Sequence, residues 1–235
     1  MRKFPSPPTR KLYTSELDIA EEHIDAFVNW YAFRHAPDIY QIGFDVCTSY
    51  RGIAGDMMIM DLYEIDSVDI FDTPQYRGIA QNDPYSAAIL AHRGNKAHTI
   101  YSQLLVAPEP VDTRALLNAD WISVERFEFS DLDRSALLDY LDSGEAERIL
   151  LAGAKRVRLA ARTKAGPKHV SGRPSCMLLA EWPAQPPIAD IGARLSARFG
   201  EVVREQSFFV GYRLYPWADR KDLVPSPRKD APGAT

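Results

Sequence analysis

One order of elements occurs twice in this chain, and a missed repeat would misread the whole fold. Lys11 to Leu17 reads as a strand, with Asp18 as the N-cap of a following helix. From Ile19 to Ala36 apolar residues recur at helical spacing (Ile24, Phe27, Val28, Tyr31, then His35), and Pro37 is expected to end that helix. Phe44–Arg51 and Met57–Ile65 read as strands around a Gly52-Ile-Ala-Gly55 turn. Helical stretches follow at Thr73–Ala80 and Pro84–Ala91, and His98–Val106 reads as a last strand. The order is β-α-β-β-α-β. It returns as a strand at Trp121–Phe129, a helix from Asp131 to about Leu151 with a weak point at Gly144, strands at Arg156–Arg162 and Cys176–Trp182, a helix over Ile188–Glu205 and a strand at Phe208–Tyr215. Gly43 and Gly153 fall at the same place in each half, just before the second strand.

A four-stranded sheet with helices on one face leaves its other face bare, and that face must be covered. Two such units in one chain can cover each other. The near-continuous apolar runs Met57–Ile65 and Met177–Trp182 suit strands buried on both faces. The expected class is therefore α+β: two ferredoxin-like repeats, residues 11–108 and 119–218, packed sheet to sheet into one barrel. Residues 1–10 and 219–235 read as flexible tails, and Pro108–Asn118 as the connection between halves.

Composition narrows the function classes. The 235 residues carry 28 Lys+Arg against 32 Asp+Glu, a net charge of −4, which argues against a nucleic-acid binder working through a basic field. With 46% apolar residues the chain is no disordered segment. No run of about 18 apolar residues is present to span a membrane. The basic, proline-rich start lacks the apolar stretch of a secretory signal, so a cytoplasmic protein is expected. Cys47 and Cys176, each in an apolar strand, read as buried reduced thiols.

The first half resembles the dimeric α+β barrel superfamily, in particular its EthD-like members. The resemblance rests on Trp30-Tyr31-Ala-Phe-Arg34-His35-Ala36-Pro37-Asp38, then Ile42-Gly43-Phe44, Met60-Asp61-Leu62-Tyr63-Glu64 and Asp72-Thr73-Pro74-Gln75-Tyr76, in that order. It covers about residues 18–80; the second half is similar only in its element order. The resemblance implies a barrel that usually forms from two chains and that a tandem chain forms alone. Known members include cofactor-free monooxygenases, polyketide cyclases, isomerases, decarboxylases and haem proteins of the chlorite dismutase type, so the fold alone selects no reaction. In the haem proteins the iron-binding histidine lies in the second half. Here that half offers only His169, in the polar loop Thr163–Pro174, so no cofactor is expected.

The halves differ where chemistry would sit. Eight residues before Gly43 stands His35, and eight before Gly153 stands Glu145; likewise Trp30 and Tyr31 correspond to Tyr140 and Leu141. A reactive pocket is therefore expected in the first half. His35 is the candidate proton shuttle near neutral pH. Asp61, inside an apolar strand, is the candidate base or orienting group, its alternative being a buried salt bridge to Arg34 or Arg51. Tyr31 completes the candidate catalytic set. Trp30, Arg34, Tyr50, Tyr63 and Tyr76 are candidate substrate-binding residues, with phenols to hold an enolate or phenolate oxygen and Arg34, stacked on Trp30, to meet a carboxylate. No metal-ligand spacing is present, and the Gly52–Gly55 turn lacks the lysine and helix of a phosphate loop. The arginine side of Arg156–Arg162 reads as a solvated strand edge. The expected function is a cofactor-independent lyase, isomerase or cyclase acting by general acid–base chemistry on an aromatic, phenolic or polyketide-like carbonyl compound. The alternatives are a non-catalytic small-molecule-binding or stress-response module and a cofactor-free monooxygenase. Neither nucleic acid nor membrane is an expected partner, and pairing of two such chains as a homodimer is left open.

Overall fold

The computed structural model describes residues 10–81, 84–108, 119–129, 134–163, 173–191 and 203–216, with positions 117, 193, 197 and 199. Eight antiparallel strands close into a barrel. They are β1 (Lys11–Ile19), β2 (Val46–Gly55), β3 (Ile59–Ile65), β4 (Arg93–Ala107), β5 (Trp121–Phe129), β6 (Arg156–Arg162), β7 (Cys176–Trp182) and β8 (Val203–Tyr215). Their order around the barrel is β1-β3-β2-β8-β5-β7-β6-β4. The first four strands therefore form one arc (β4-β1-β3-β2) and the last four another (β8-β5-β7-β6), joined along β2–β8 and β4–β6. Among the described residues no helix is long and apolar enough to cross a membrane.

Strand alternation sorts the core into three layers. Leu12, Tyr50, Met60, Leu62, Tyr101, Ile122, Val124, Met177, Leu179 and Phe209 fill the barrel interior. Tyr13, Leu17, Cys47, Ile59, Tyr63 and Ile100 point outward beneath the first-half helices α1 (Ile24–Trp30), α2 (Ala36–Gln41), α3 (Pro74–Gln81) and α4 (Pro84–Leu90). Phe127, Val157, Leu159, Cys176, Leu178 and Trp182 do the same beneath α5 (Arg134–Tyr140) and α6 (Ala146–Leu151). Neither cysteine is in a disulfide, and both are buried.

Closure overturns the solvated-edge reading of Arg156–Arg162. β6 is paired on both sides, with β4 and β7, so it has no edge. Arg158, 3% exposed, lies inside the barrel between Glu64 (2.7 Å) and Glu181 (2.6 Å) and also donates to Gln103 (2.9 Å). A second interior cluster joins Arg126 and Glu16 at 2.7 Å, both fully buried, with Arg173 at 3.1 Å from the same carboxylate.

Several element boundaries also differ from expectation. Asp18 stays in β1, where its carboxylate accepts from the Met58 N–H (3.1 Å) and the Asn95 amide (2.6 Å), instead of capping a helix. The first helix runs through Pro37 to Gln41, because a wide π-turn at Tyr31–His35 precedes the proline and makes room for its ring. The corresponding segment Leu141–Glu145 is instead a kink between two helices, with Gly144 at φ 111°, and the helices end before Gly43 (φ 100°) and Gly153 (φ 110°). Finally, β2 continues through the expected turn to Gly55, closing the barrel against β8. Gly55 has φ 109°, and a Cβ there would sit 2.0 Å from the Phe208 carbonyl oxygen. Gly55→Ala is therefore expected to cost about 3 kcal/mol or more, read as a lowered urea midpoint with an unchanged slope. The helix expected over Ile188–Glu205 lies largely outside the described residues, as do the tails, most of the connection between halves and His169.

Candidate functional site

The outward face of β1, β3 and β4 and the first-half helices enclose a cavity of about 320 Å³. Register explains which side chains meet there. Asp61 on β3 lies opposite Ser15 on β1, which lies opposite His98 on β4; Tyr63 lies opposite Tyr13. On a strand of period two, Tyr13, Ser15 and Leu17 share the face of Asp61 and Tyr63, and all five line the cavity. Helices supply Trp30, His35, Asp38, Ile39, Tyr76, Ile79, Ser86 and Leu90, and β4 supplies Arg93 and His98.

Asp61 is the most unusual group in the cavity. It is 3% exposed, and among the described residues its Oδ1 has no hydrogen-bond partner. Burial raises its pKa to about 7, offset only in part by the Ser49 hydroxyl on β2 and by the Arg93 guanidinium. The expected salt-bridge partners are elsewhere. Arg51 pairs with Glu21, and Arg34 lies over the Tyr85 ring at 4.7 Å.

His35 ends the π-turn, with its ring stacked on Trp30 at 4.7 Å and its Nε2 3.1 Å from the Tyr63 hydroxyl. Burial, with a smaller contribution from Arg93, lowers its pKa to about 3, so the imidazole is neutral throughout the physiological range. Tyr13 and His98 form a second phenol–imidazole pair, Oη to Nδ1 at 3.0 Å. Burial pushes the Tyr13 and Tyr63 phenols well above their ordinary range, so both stay protonated. Trp30 is held by its Nε1–H donating to Ser86 Oγ at 2.7 Å.

Of the eight residues singled out in the sequence, Trp30, His35, Asp61, Tyr63 and Tyr76 line this cavity. Tyr31 is fully buried behind it, between Trp30, His35 and Tyr215, with its hydroxyl 3.4 Å from the Thr48 carbonyl oxygen. Tyr50 points the other way, into the barrel, and donates to the Ala119 carbonyl oxygen at 3.0 Å. Arg34 stacks on Tyr85 instead of Trp30. Tyr13, Ser15, Arg93 and His98 belong to the cavity and were not singled out, although the alternation of β1 already puts Tyr13 and Ser15 on the helix side.

The cavity can hold a small, largely flat molecule between aromatic walls, remove a proton from it and donate hydrogen bonds to an oxygen. The fold is the dimeric α+β barrel. The sequence matches no family model and no curated protein; the similarity is to solved structures and shows the fold. An anthrone oxidase-like protein superposes with a TM-score of 0.62 at 12% identity, covering 87% of this chain and 90% of its own. A proposed monooxygenase from Lactobacillus acidophilus NCFM superposes at 0.53 and 8% identity, covering 87% and 94%. The chlorite dismutase of Candidatus Nitrospira defluvii in complex with imidazole superposes at 0.52 and 11%, covering 89% and 93%.

Proposed function

We propose that this chain is a cofactor-independent enzyme that takes a proton from an aromatic, phenolic or polyketide-like carbonyl compound, in the manner of a lyase, isomerase or cyclase. The observation that carries the reading is Asp61, a carboxyl poised near pH 7 in an aromatic cavity furnished with neutral donors. This reading treats the barrel as two ferredoxin-like repeats in one chain, residues 11–108 active and 119–218 structural, with EthD-like character in the first.

Ionised Asp61 accepts the proton of a C–H beside the substrate carbonyl, and the electron pair moves onto the carbonyl oxygen. The Tyr13 and Tyr63 hydroxyls donate to that enolate oxygen. With its proton on Nε2, neutral His35 donates to Tyr63 and leaves the phenolic proton free for substrate. Return of the proton to another carbon completes an isomerisation; attack of the enolate carbon on a second carbonyl completes a cyclisation. The base is thus Asp61, and His35 positions the donor. His35→Gln is expected to slow turnover about tenfold and to leave the midpoint of the pH profile near 7, because the imidazole itself titrates at about 3.

A second reading, the cofactor-free monooxygenase, is favoured by the names of two structural neighbours. The same carbanion would reduce O₂, and the hydroperoxide so formed would lose water to leave a new carbonyl, one oxygen in product and one in water. Haem fits the second half poorly. Among the described residues the space under its helices is packed with Leu137, Leu141, Ile149, Leu159 and Trp182, and no histidine lies there. The discriminating experiment incubates the protein with 2-tetralone or anthrone in D₂O and follows loss of the activated C–H signal by NMR, with oxygen uptake recorded alongside. Exchange without uptake supports the acid–base enzyme, and uptake supports the oxygenase. Binding without either would leave the non-catalytic module.

A further inference from the structure

Arg93 opens β4 and lines the cavity, partly buried. Its Nε donates to the Leu90 carbonyl oxygen at 3.2 Å, and among the described residues no carboxylate forms an ion pair with it. Other arginines of the chain do have such partners: Arg10, Arg126, Arg158 and Arg213 each meet an acid within 4 Å. With Nε committed to Leu90, the guanidinium turns its two terminal nitrogens, which have no partner among the described residues, to a cavity walled by Tyr76, Ile79 and Leu90, and that pair of donors matches a carboxylate.

Its position relative to Asp61 sets the shape of the ligand. Arg93 pairs with Ile19 and Asp61 with Ser15, so the two stand four residues apart along β1, about 13 Å of strand. The arginine side chain shortens that span, leaving room for one or two fused rings between cation and base. Asp38 and Asp61 both line the same cavity, so Arg93 is the place where it favours negative charge.

We propose that the substrates are planar aromatic acids, with Arg93 binding the carboxylate at one end of the cavity and the reactive C–H held beside Asp61. The proposal rests on reading the cavity as the enzyme's site and adds the substrate class to it.

Its test compares 3-hydroxy-2-naphthoate with its methyl ester by quenching of tryptophan fluorescence, using wild type, Arg93→Gln and Asp61→Asn. Wild type is expected to bind the acid at least about tenfold tighter than the ester. Arg93→Gln should lose that preference while its ester affinity stays within about twofold, and Asp61→Asn should keep the preference. Equal affinities on wild type, no binding of either probe, or an acid preference that survives Arg93→Gln would overturn the assignment. Should Arg93→Gln fail to fold by circular dichroism, the wild-type acid-to-ester ratio decides alone. An intact, Arg93-dependent preference without deuterium exchange on any ketone would sink the enzyme reading and leave the acid site standing. Exchange without acid preference would do the reverse.

Discussion

Asp61→Asn is expected to lower the proton-abstraction rate by about 10²–10⁴-fold while leaving the barrel folded. The asparagine keeps the shape of the side chain and removes only its ability to take a proton. The wild-type rate should rise with pH through about 7, as the carboxyl ionises, and level off above it. The same group makes stability depend on pH in the opposite sense. Its folded pKa is raised from 3.8 to about 7, so between those values the unfolded chain releases a proton that the folded chain retains. Stability is therefore lost as pH rises across that window, by about 4 kcal/mol in all at roughly 1.4 kcal/mol per pH unit. Asp61→Asn should flatten this part of the profile and be the more stable protein at pH 8. Urea unfolding of both proteins at intervals from pH 4 to 8 measures it. A wild type no less stable at pH 8 than at pH 5, once matched against the variant, would mean that Asp61 is solvated and unfit for the role given to it.

Which parts of this site could be read from the sequence follows from parity and boundaries. Asp61 and Tyr63 were legible because β3 is apolar at most positions and its register has no break, so a carboxylate in it must be buried. Trp30 and His35 were legible as one face of a helix, although the π-turn that carries His35 was not, since its wider winding leaves no mark in the apolar spacing. Tyr50 was misplaced through a parity that was available: Cys47 and Ser49 share the outward side, so the even-numbered Tyr50 faces the interior. Arg93 was missed because Arg93-Gly94-Asn95 reads as a turn, and Asn95 does adopt φ 38°, yet β4 runs back through it to pair with Ile19. Local chemistry marked the irregularity; only the long-range pairing with β1 turned it into strand. A buried arginine was hidden for a related reason. Arg158 reads as a solvated strand-edge residue until two arcs of strands close around it, and closure is a property of pairs far apart in the chain.

That closure carries the second large expected effect. Arg158→Met should destabilise the protein by about 3–5 kcal/mol, because it leaves Glu64 and Glu181 facing each other in the barrel with their principal cation gone. For a chain of this size the melting temperature should fall by roughly 10 °C. Even with Arg158 in place, burial raises the Glu64 pKa, a measure of how poorly the interior replaces water. In the variant the Glu64 carboxyl, already raised by burial, loses the cation that lowers it, so the added instability should grow as pH rises from about 4 and shrink again in acid. Replacing Glu64, Arg158 and Glu181 together with apolar residues of similar volume should restore most of the loss, since no charge is then stranded. Calorimetry of the single and triple variants at two pH values separates these cases. A single variant within 1 kcal/mol of wild type would show that water reaches the carboxylates. Glu64 belongs to the arc of the first four strands and Arg158 to the other, so a triple variant that is stable yet closes with altered pairing along β4–β6 would identify the bridge as what fixes that register.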